Sequence, residues 1–308
     1  GEILGYAVYP SYNPNNYKKA TLTQLTNWTL SDVFEPGSTF KVLTIASAIE
    51  NGRLNENSRI LDTGKLDIDK WTIKNYDYAT KPFPGSIDLY YLFEHSSNVA
   101  SAKAALMMTK QEHYNVLKRF GIGEKTGIDL PGESRGLIPP VKDWHKSTHA
   151  SVGYGYSISV TAIQVASAIS AIANNGGQVT PHVIKYSPEE EAEKIKHTQV
   201  IKPETAHSVT KLLAGSIGRS KSPVNLEDYH VAAKTGTARK SSNGGCFNKL
   251  VTSIIGFLPA SNPQVEIYVV IDSPSKGALW GSTVAAPVFR EVALQTARIM
   301  NIAPDKKK

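Results

Sequence analysis

The chain has 308 residues, 41% hydrophobic and 20% charged, an ordinary globular composition and enough for one large domain or two sharing a core. A single cysteine, Cys246, rules out an internal disulfide, and no apolar run approaches the roughly 18 to 20 residues of a membrane span. The net charge of +7 comes from scattered basic residues without aromatic interleaving or a nucleic-acid motif, so nucleic acid is set aside as a partner, whereas an anionic polymer or a membrane surface suits the charge.

The chain opens with Gly rather than Met and carries no signal peptide, and its first residues, "GEILGYAVYP", already alternate as a half-buried strand does. These features read as a piece of a longer protein. "YNPNNY" follows as a turn-rich loop. The stretch "EPGSTFKVLTIASAIENG", residues 35–52, predicts a helix from about Ser38 to Ile49, stopped by Asn51-Gly52. Further helices are expected after Asn98 ("VASAKAALMM"), over "QEHYNVLKRFG", over "SVTAIQVASAISAIANNGG" and over "KPETAHSVTKLLAGSIG", where Pro203 falls near the first turn. "HTQVIKPE" reads as a short strand. From Tyr229 the character changes: "YHVAAKTGTA", "LVTSIIGFLPA" and "QVEIYVVID" are β-branched runs at hairpin-like spacing. "AAPVFREVALQTARIM" closes as a helix, and the terminal "KKK" reads as a solvated tail.

Strand material therefore lies at both ends, with helices between. The pattern predicts an α/β (α+β) fold: an antiparallel sheet flanked by helices, built from both chain ends, with a mostly helical inserted subdomain. One domain over 1–308 is expected, its sheet-containing part at about 1–50 and 225–308 and its helical part at about 51–224.

A first helix that looks buried nevertheless carries Lys41 in its first turn, one turn after Ser38. Positions i and i+3 share a helix face, so the two can come within hydrogen-bond reach. An ordinary lysine titrates near 10.4, and lowering that to about 7 takes roughly 4 to 5 kcal/mol of differential penalty against the charged form. Burial and a second positive charge supply such a penalty, and the resulting free amine can take a proton from a serine hydroxyl. The plain alternative is that Ser38 caps the helix while Lys41 snorkels to water.

Two further motifs recur with decoys. Ser96-Ser97-Asn98 is an S-x-N in which a hydroxyl could relay a proton and an amide could bind a peptide backbone. S-x-N also occurs at Ser11/Asn13 and Ser241/Asn243, both in turn-like loops. Lys234-Thr235-Gly236-Thr237 lies on a strand, where Gly236 would admit a substrate backbone and the lysine and two hydroxyls would suit a carboxylate. A second K-T-G, Lys125-Thr126-Gly127, lies in a Gly-rich loop and reads as structural, as do the S-x-x-K pairs Ser208/Lys211 and Ser273/Lys276.

S-x-x-K, S-D-N and K-T-G in that order, on a helix start, an inter-helix loop and a strand, are the signature of serine penicillin-recognising enzymes. Ser97 stands here where that signature has Asp. Together with "LFEHSSN", "GIGEKTGIDLPGE", "GYGYSISVTAIQ", "AAKTGTA", "GFLPASNPQVEIYVVID" and "GSTVAAPVFREV", the motifs resemble the transpeptidase domain of class B penicillin-binding proteins over essentially the whole chain, and most closely the division-type monofunctional transpeptidases. That family commonly has S-S-N in the middle motif. Its pedestal domain and membrane anchor are absent from this stretch, and the first strand is cut short.

The resemblance implies a penicillin-binding, serine β-lactamase-like fold and a D,D-transpeptidase that cross-links peptidoglycan stem peptides. Ser38 would attack the carbonyl between the two terminal D-alanines, with Lys41 as general base. Ser96 would pass a proton toward the leaving amine, with Lys234 holding that network positive, so that Lys41 and Lys234 depress each other's pKa. Asn98 would bind substrate and orient Lys41, and Thr235, Gly236 and Thr237 would receive the substrate's carboxylate end. The backbone N–H groups of Ser38 and Thr237 would form the oxyanion hole. β-Lactams would acylate the same serine. No metal or organic cofactor is implied; the eight histidines are dispersed, and His95 reads as structural. The implied location is extracytoplasmic, in a parent anchored by an N-terminal helix, with a glycosyltransferase and other division proteins as partners. A β-lactamase, a D,D-carboxypeptidase and a β-lactam-sensing domain are the competing readings. Between Asn98 and Lys234 there is no E-x-x-x-N of the kind that supplies the deacylating glutamate in one β-lactamase class, which disfavours that class.

Overall fold

The computed structural model describes residues 1–81, 83–239, 249–276 and 279–306. After an extended opening come the short helices α1 (Leu22–Leu25) and α2 (Trp28–Ser31), then a 3-10 turn, Gly37–Phe40, that runs straight into α3 (Lys41–Glu50). Four short strands follow: β1 (Arg59–Asp62), β2 (Lys65–Ile68), β3 (Trp71–Lys74) and β4 (Gly85–Asp88). They form two antiparallel pairs, β1 with β4 and β2 with β3. The helical part continues with α4 (Leu89–His95), α5 (Asn98–Leu106), α6 (Lys110–Arg119), α7 (Lys146–Val152) and α8 (Ala162–Ala173). Strands β5 (Gly177–Val179) and β6 (His197–Gln199) pair around α9 (Pro188–Lys194), and α10 (Pro203–Arg219) follows. The chain ends in the antiparallel sheet β7 (Ala232–Arg239), β8 (Leu250–Leu258), β9 (Val265–Asp272), in that order, and the long helix α11 (Gly281–Ile299).

Local sequence explains the boundaries. Thr109 with Glu112 and Thr161 with Gln164 form reciprocal capping boxes that start α6 and α8, each satisfying two of the amides a helix start leaves orphaned. The sheet is β-branched and alternates, so its two faces enter two different cores. Ala232, Ile255 and Phe257 join the large core of α3, α8 and α10, while Ala233, Ile254 and Leu258 pack against Ala285, Phe289 and Ala293 of α11. The sheet is thus covered by helices on both faces, and β7 is left at its edge.

The expected fold class stands: an antiparallel sheet flanked by helices beside a mostly helical part. The sheet is not built from both chain ends, however. The opening residues form no strand; they make one isolated bridge, Glu2 with His182, through a 2.8 Å bond from Ile3 N–H to the His182 carbonyl. Alternation alone marked them as a strand, but a strand needs a neighbour to pair with along its length. The N-terminal part reaches the sheet instead through the 3-10 turn. A Cβ placed on Gly37 would lie 3.0 Å from the Ala238 side chain, so this turn sits directly on β7. Of the three terminal lysines only Lys306 lies among the described residues, and it donates to Asn225 Oδ1 (2.9 Å) and to the Leu226 carbonyl (2.6 Å) rather than standing free in solvent.

The turn is held from below by Gly155, whose carbonyl accepts from Gly37 N–H at 3.0 Å. Gly155 has φ +85°, and a Cβ there would fall 2.1 Å from the Gly37 carbonyl oxygen. Gly155→Ala is therefore expected to destabilise the fold by more than about 1 kcal/mol, read as a lower urea midpoint at unchanged slope.

Candidate active site

Lys41 is the first residue of α3 and is completely buried. Its side chain crosses to the turn between α4 and α5, where Nζ meets the Ser96 carbonyl at 2.5 Å, Asn98 Oδ1 at 2.7 Å and Ser96 Oγ at 3.1 Å. A hydroxyl can donate as well as accept, so this seat serves an ammonium or a free amine. Burial, first, and the positive charge of Lys234, second, hold Lys41 well below the ordinary lysine range; the Asp62 carboxylate acts in the opposite direction. Ser38 and Lys41 lie three residues apart in a continuous helical stretch, a spacing that a 3-10 turn brings to one side. Ser38 lies in the 3-10 turn and Lys41 begins the α-helix, and among the described residues Ser38 Oγ has no hydrogen-bond partner. Ser38 is half-buried, and among the described residues the hydrogen bonds of Lys41 go to the middle motif.

That middle motif is a strained turn. Ser96 closes α4 in the left-handed region at φ +53°, costly for a residue with a side chain, and Ser97 opens α5. Asn98 is held at both ends of its amide: Oδ1 accepts from Lys41, and Nδ2 donates to the Lys74 carbonyl of β3 at 2.9 Å, leaving one N–H. Beneath the turn lies a buried polar cluster that motif reading missed. Ser97 Oγ donates to Asp62 Oδ2 at 2.5 Å, and Asn75 Nδ2 donates to both Asp62 oxygens at 2.9 and 3.0 Å. Asn75 Oδ1 accepts from the amides of Asn98 (2.9 Å) and Val99 (3.1 Å). The available signal was in β1, whose alternation points Ile60 and Asp62 inward together, so that an acid occupies a core position.

The third wall is β7. Lys234 is buried on the face that also carries Gly236 and Ala238, and Nζ donates to the Thr235 carbonyl at 3.0 Å. Burial pushes its ammonium down to about 7. Burial is the first cause at both lysines, and the repulsion between the two ammonium groups, being Coulombic, is reciprocal. Thr235 and Thr237 are half-buried on the other face, and Thr237 Oγ1 accepts from Gly281 N–H at 3.0 Å. A Cβ on Gly236 would meet Ser253 Oγ at 2.5 Å and Thr39 Cγ2 at 2.9 Å, so the missing side chain lets the serine-bearing turn close on β7. Tyr76, next to Asn75, and Trp280, next to Gly281, approach from the two walls with ring centroids 6.0 Å apart.

The decoys separate cleanly. Lys211 pairs with Glu56 at the surface, Ser273 Oγ donates to its neighbour Asp272, and Asn13 caps a 3-10 turn. Thr126 and Gly127 are tied to Glu133 in their loop. The ring of His95 stacks on Tyr91 at 4.0 Å. Ser241, Asn243 and Cys246 lie outside the described residues. Among the described residues no group of three or more His, Cys, Asp or Glu side chains is placed to hold a metal ion.

A serine at a helix start, a buried lysine, a Ser-x-Asn turn and an edge-strand Lys-Thr-Gly converging on one spot define a serine penicillin-recognising site. Comparison with known proteins agrees. The family described as "Penicillin binding protein transpeptidase domain" matches residues 1–294. The Pseudomonas aeruginosa protein named probable peptidoglycan D,D-transpeptidase PbpC is 33% identical over 309 residues, 99% of this chain and 53% of its own. The Escherichia coli K12 peptidoglycan D,D-transpeptidase FtsI is 33% identical over 306 residues, 99% of this chain and 50% of its own. Among solved structures, the transpeptidase domain of Burkholderia pseudomallei penicillin-binding protein 3 superposes with a TM-score of 0.82 at 30% identity, covering 92% of this chain and 84% of that one. Penicillin-binding protein 3 of Mycobacterium tuberculosis, solved with ampicillin, gives 0.83 at 28% identity, covering 92% and 66%. The chain belongs to the penicillin-binding protein transpeptidase domain family, in its class B branch. It spans about half the length of these two curated relatives.

The lowered pKa of Lys234 has a stability consequence of definite sign. Below about pH 7 the lysine is charged in both folded and unfolded chains, and the burial penalty is fully present. Between there and about 10.4 only the unfolded chain holds the proton, so stability rises with pH. Lys234→Met removes that rise. From pH 7 to pH 9 the wild type should gain roughly 2 to 3 kcal/mol relative to the variant, measured by urea unfolding across the pH series.

Proposed function

We propose that this chain is the catalytic module of a peptidoglycan D,D-transpeptidase, acting through a serine acyl-enzyme and acylated by β-lactams at the same serine. The observation that carries the reading is the pair of buried lysines, Lys41 and Lys234, both held below the ordinary lysine range, with Ser38 in the turn that runs into the helix of Lys41. Burying cations with no acid in contact is costly, and structure alone does not call for it. Chemistry that needs a free amine at neutral pH does.

In this reading Ser38 Oγ attacks the carbonyl between the terminal D-alanines of a donor stem peptide, and its proton passes to Lys41 Nζ. The oxyanion is met by the backbone N–H groups of Ser38 and Thr237, each worth about 3 to 4 kcal/mol in the transition state. The C–N bond breaks, and the leaving D-alanine amine takes a proton through Ser96 Oγ, which lies 3.1 Å from Lys41. Lys234 keeps this network positive and, with Thr235 and Thr237, receives the substrate's carboxylate. Gly236 serves the site by letting the serine-bearing turn close on β7. The remaining N–H of Asn98 binds the donor peptide backbone, and β7, an edge strand, offers its free side to an extended peptide. The amine of a second stem peptide then attacks the ester and releases Ser38, leaving a cross-link.

The peptidoglycan D,D-transpeptidase names of the relatives support the wider reading. A transpeptidase acting on peptidoglycan works outside the cytoplasm. We place the chain there, as part of a membrane-anchored, division-type enzyme that works with a glycosyltransferase and other division proteins. No helix among the described residues is long and apolar enough to cross a membrane.

Intact-protein mass spectrometry after incubation with benzylpenicillin tests the reading. A stable one-drug adduct is expected on the wild type and none on Ser38→Ala. An adduct that forms and disappears as drug is consumed identifies a β-lactamase instead. Lys41→Arg, permanently charged, is expected to slow acylation by about 10²- to 10⁴-fold without unfolding the chain. Acylation by the wild type should persist at neutral pH and fall as pH drops and Lys41 takes up a proton.

A further inference from the structure

Asp62 lies on β1, outside the three motifs, and is 0% exposed. Every partner it has is a donor: the hydroxyl of Ser97, the amide of Asn75 and the backbone N–H of Gly64 at 2.8 Å. Among the described residues no arginine or lysine pairs with it. A carboxylate stripped of water without a salt-bridge partner costs several kcal/mol unless hydrogen bonds and a nearby field compensate. The hydrogen bonds are in place. The compensating field is that of the lysine interior, for Asp62 is the one acid whose charge acts on Lys41 with a stabilising sign.

The hydrogen bonds of this cluster lead to one place. Asn75, oriented by Asp62 through its Nδ2, spends its Oδ1 on the first two amides of α5. Ser97, donating to Asp62, spends its lone pair on the third, Ala100 N–H at 2.9 Å. The start of α5 is thus capped by two side chains that answer to the same carboxylate. The residues on either side of Ser97 are Ser96 and Asn98, which supply all three oxygens around Lys41 Nζ. Ser96 sits there at φ +53°, a conformation that must be imposed by its surroundings.

We propose that Asp62 is a positioning residue for the acylation step: through Asn75 and Ser97 it holds the Ser96–Asn98 turn in the shape that seats Lys41, and its charge acts on that buried lysine. The aspartate that other penicillin-recognising enzymes carry within S-D-N is here replaced by Ser97, and a carboxylate reaches the same turn from β1. The inference rests on the acyl-transfer reading of the site, and it divides the work of Asp62 into a geometric and an electrostatic part that separate variants can isolate.

Asp62→Asn keeps the size of the side chain and removes the charge, its new N–H group facing Ser97 Oγ, whose own proton then goes to Asn75 Oδ1, 3.2 Å away; Asn75→Ala keeps the charge and breaks the hydrogen-bond route. Two readouts are needed: the pH profile of benzylpenicillin acylation, and the titration of Lys41 followed by NMR in chain labelled with ¹³C-lysine, its resonance assigned with Lys41→Arg. Asn75→Ala should lower the plateau acylation rate by about 10- to 100-fold, the scale of a misplaced catalytic group, with the acid limb unmoved. Asp62→Asn should move both the acid limb and the Lys41 midpoint to lower pH, because the charge that favours the ammonium is gone. A residue that merely packs would lower rate and melting temperature together and move neither midpoint, and that outcome overturns the proposal. So does an Asn75→Ala plateau within twofold of wild type. Wild-type chain that takes up no penicillin would refute the acyl-transfer reading, while the Lys41 titration would still decide the electrostatic role of Asp62.

Discussion

Two lysines share the interior of this protein, and among the described residues neither forms an ion pair. Most of what surrounds them follows from that constraint. Lys41 is tolerated because three oxygens of one turn converge on it, and the turn keeps that shape because its helix start is capped from below. Lys234 is tolerated with a single carbonyl in contact, at the expense of its proton near neutral pH. A fold selected only for stability would replace either with an apolar residue of similar volume. On the function proposed above, the origin of reactivity lies in this packing rather than in the serine itself.

The cradle also explains the glycines around the site. Gly37, Gly155 and Gly236 stack in one column: Gly155 under Gly37, and Gly236 against the neighbouring Thr39. The serine-bearing turn is thereby clamped between "GYG" and "KTG" at distances that leave no space for a methyl group. The three glycines act as spacers that let these parts of the protein meet.

Sequence legibility followed the physics of each element. The long helices α8 and α10 and the strands β7 to β9 were readable because each carries a full period of apolar residues and a cap or turn signal at its ends. Ser38, Lys41, Ser96, Asn98 and Lys234 were found because three spaced motifs in order are far more specific than any one of them. What escaped was what no local pattern encodes. The four-residue strands β1 to β4 are too short to show periodicity, and Asp62 and Asn75 have meaning only through partners 35 and 23 residues away. The opening segment failed in the other direction: its alternation was genuine, but pairing is a property of two segments, and only one bridge forms.

The column of glycines joins residues from opposite ends of the sequence, and so does the field of Lys234 at Lys41. Contacts of such sequence separation form late in folding, once the entropy of closing a loop of that size has been overcome. Until the last strands dock, Lys41 is solvated and titrates near the ordinary lysine value, and Ser38 is an ordinary alcohol. On the function proposed above, a nascent or partly unfolded chain would carry the complete set of motif residues yet no activated nucleophile. Covalent labelling of the serine would then report the docking of β7 and not merely the presence of the chain.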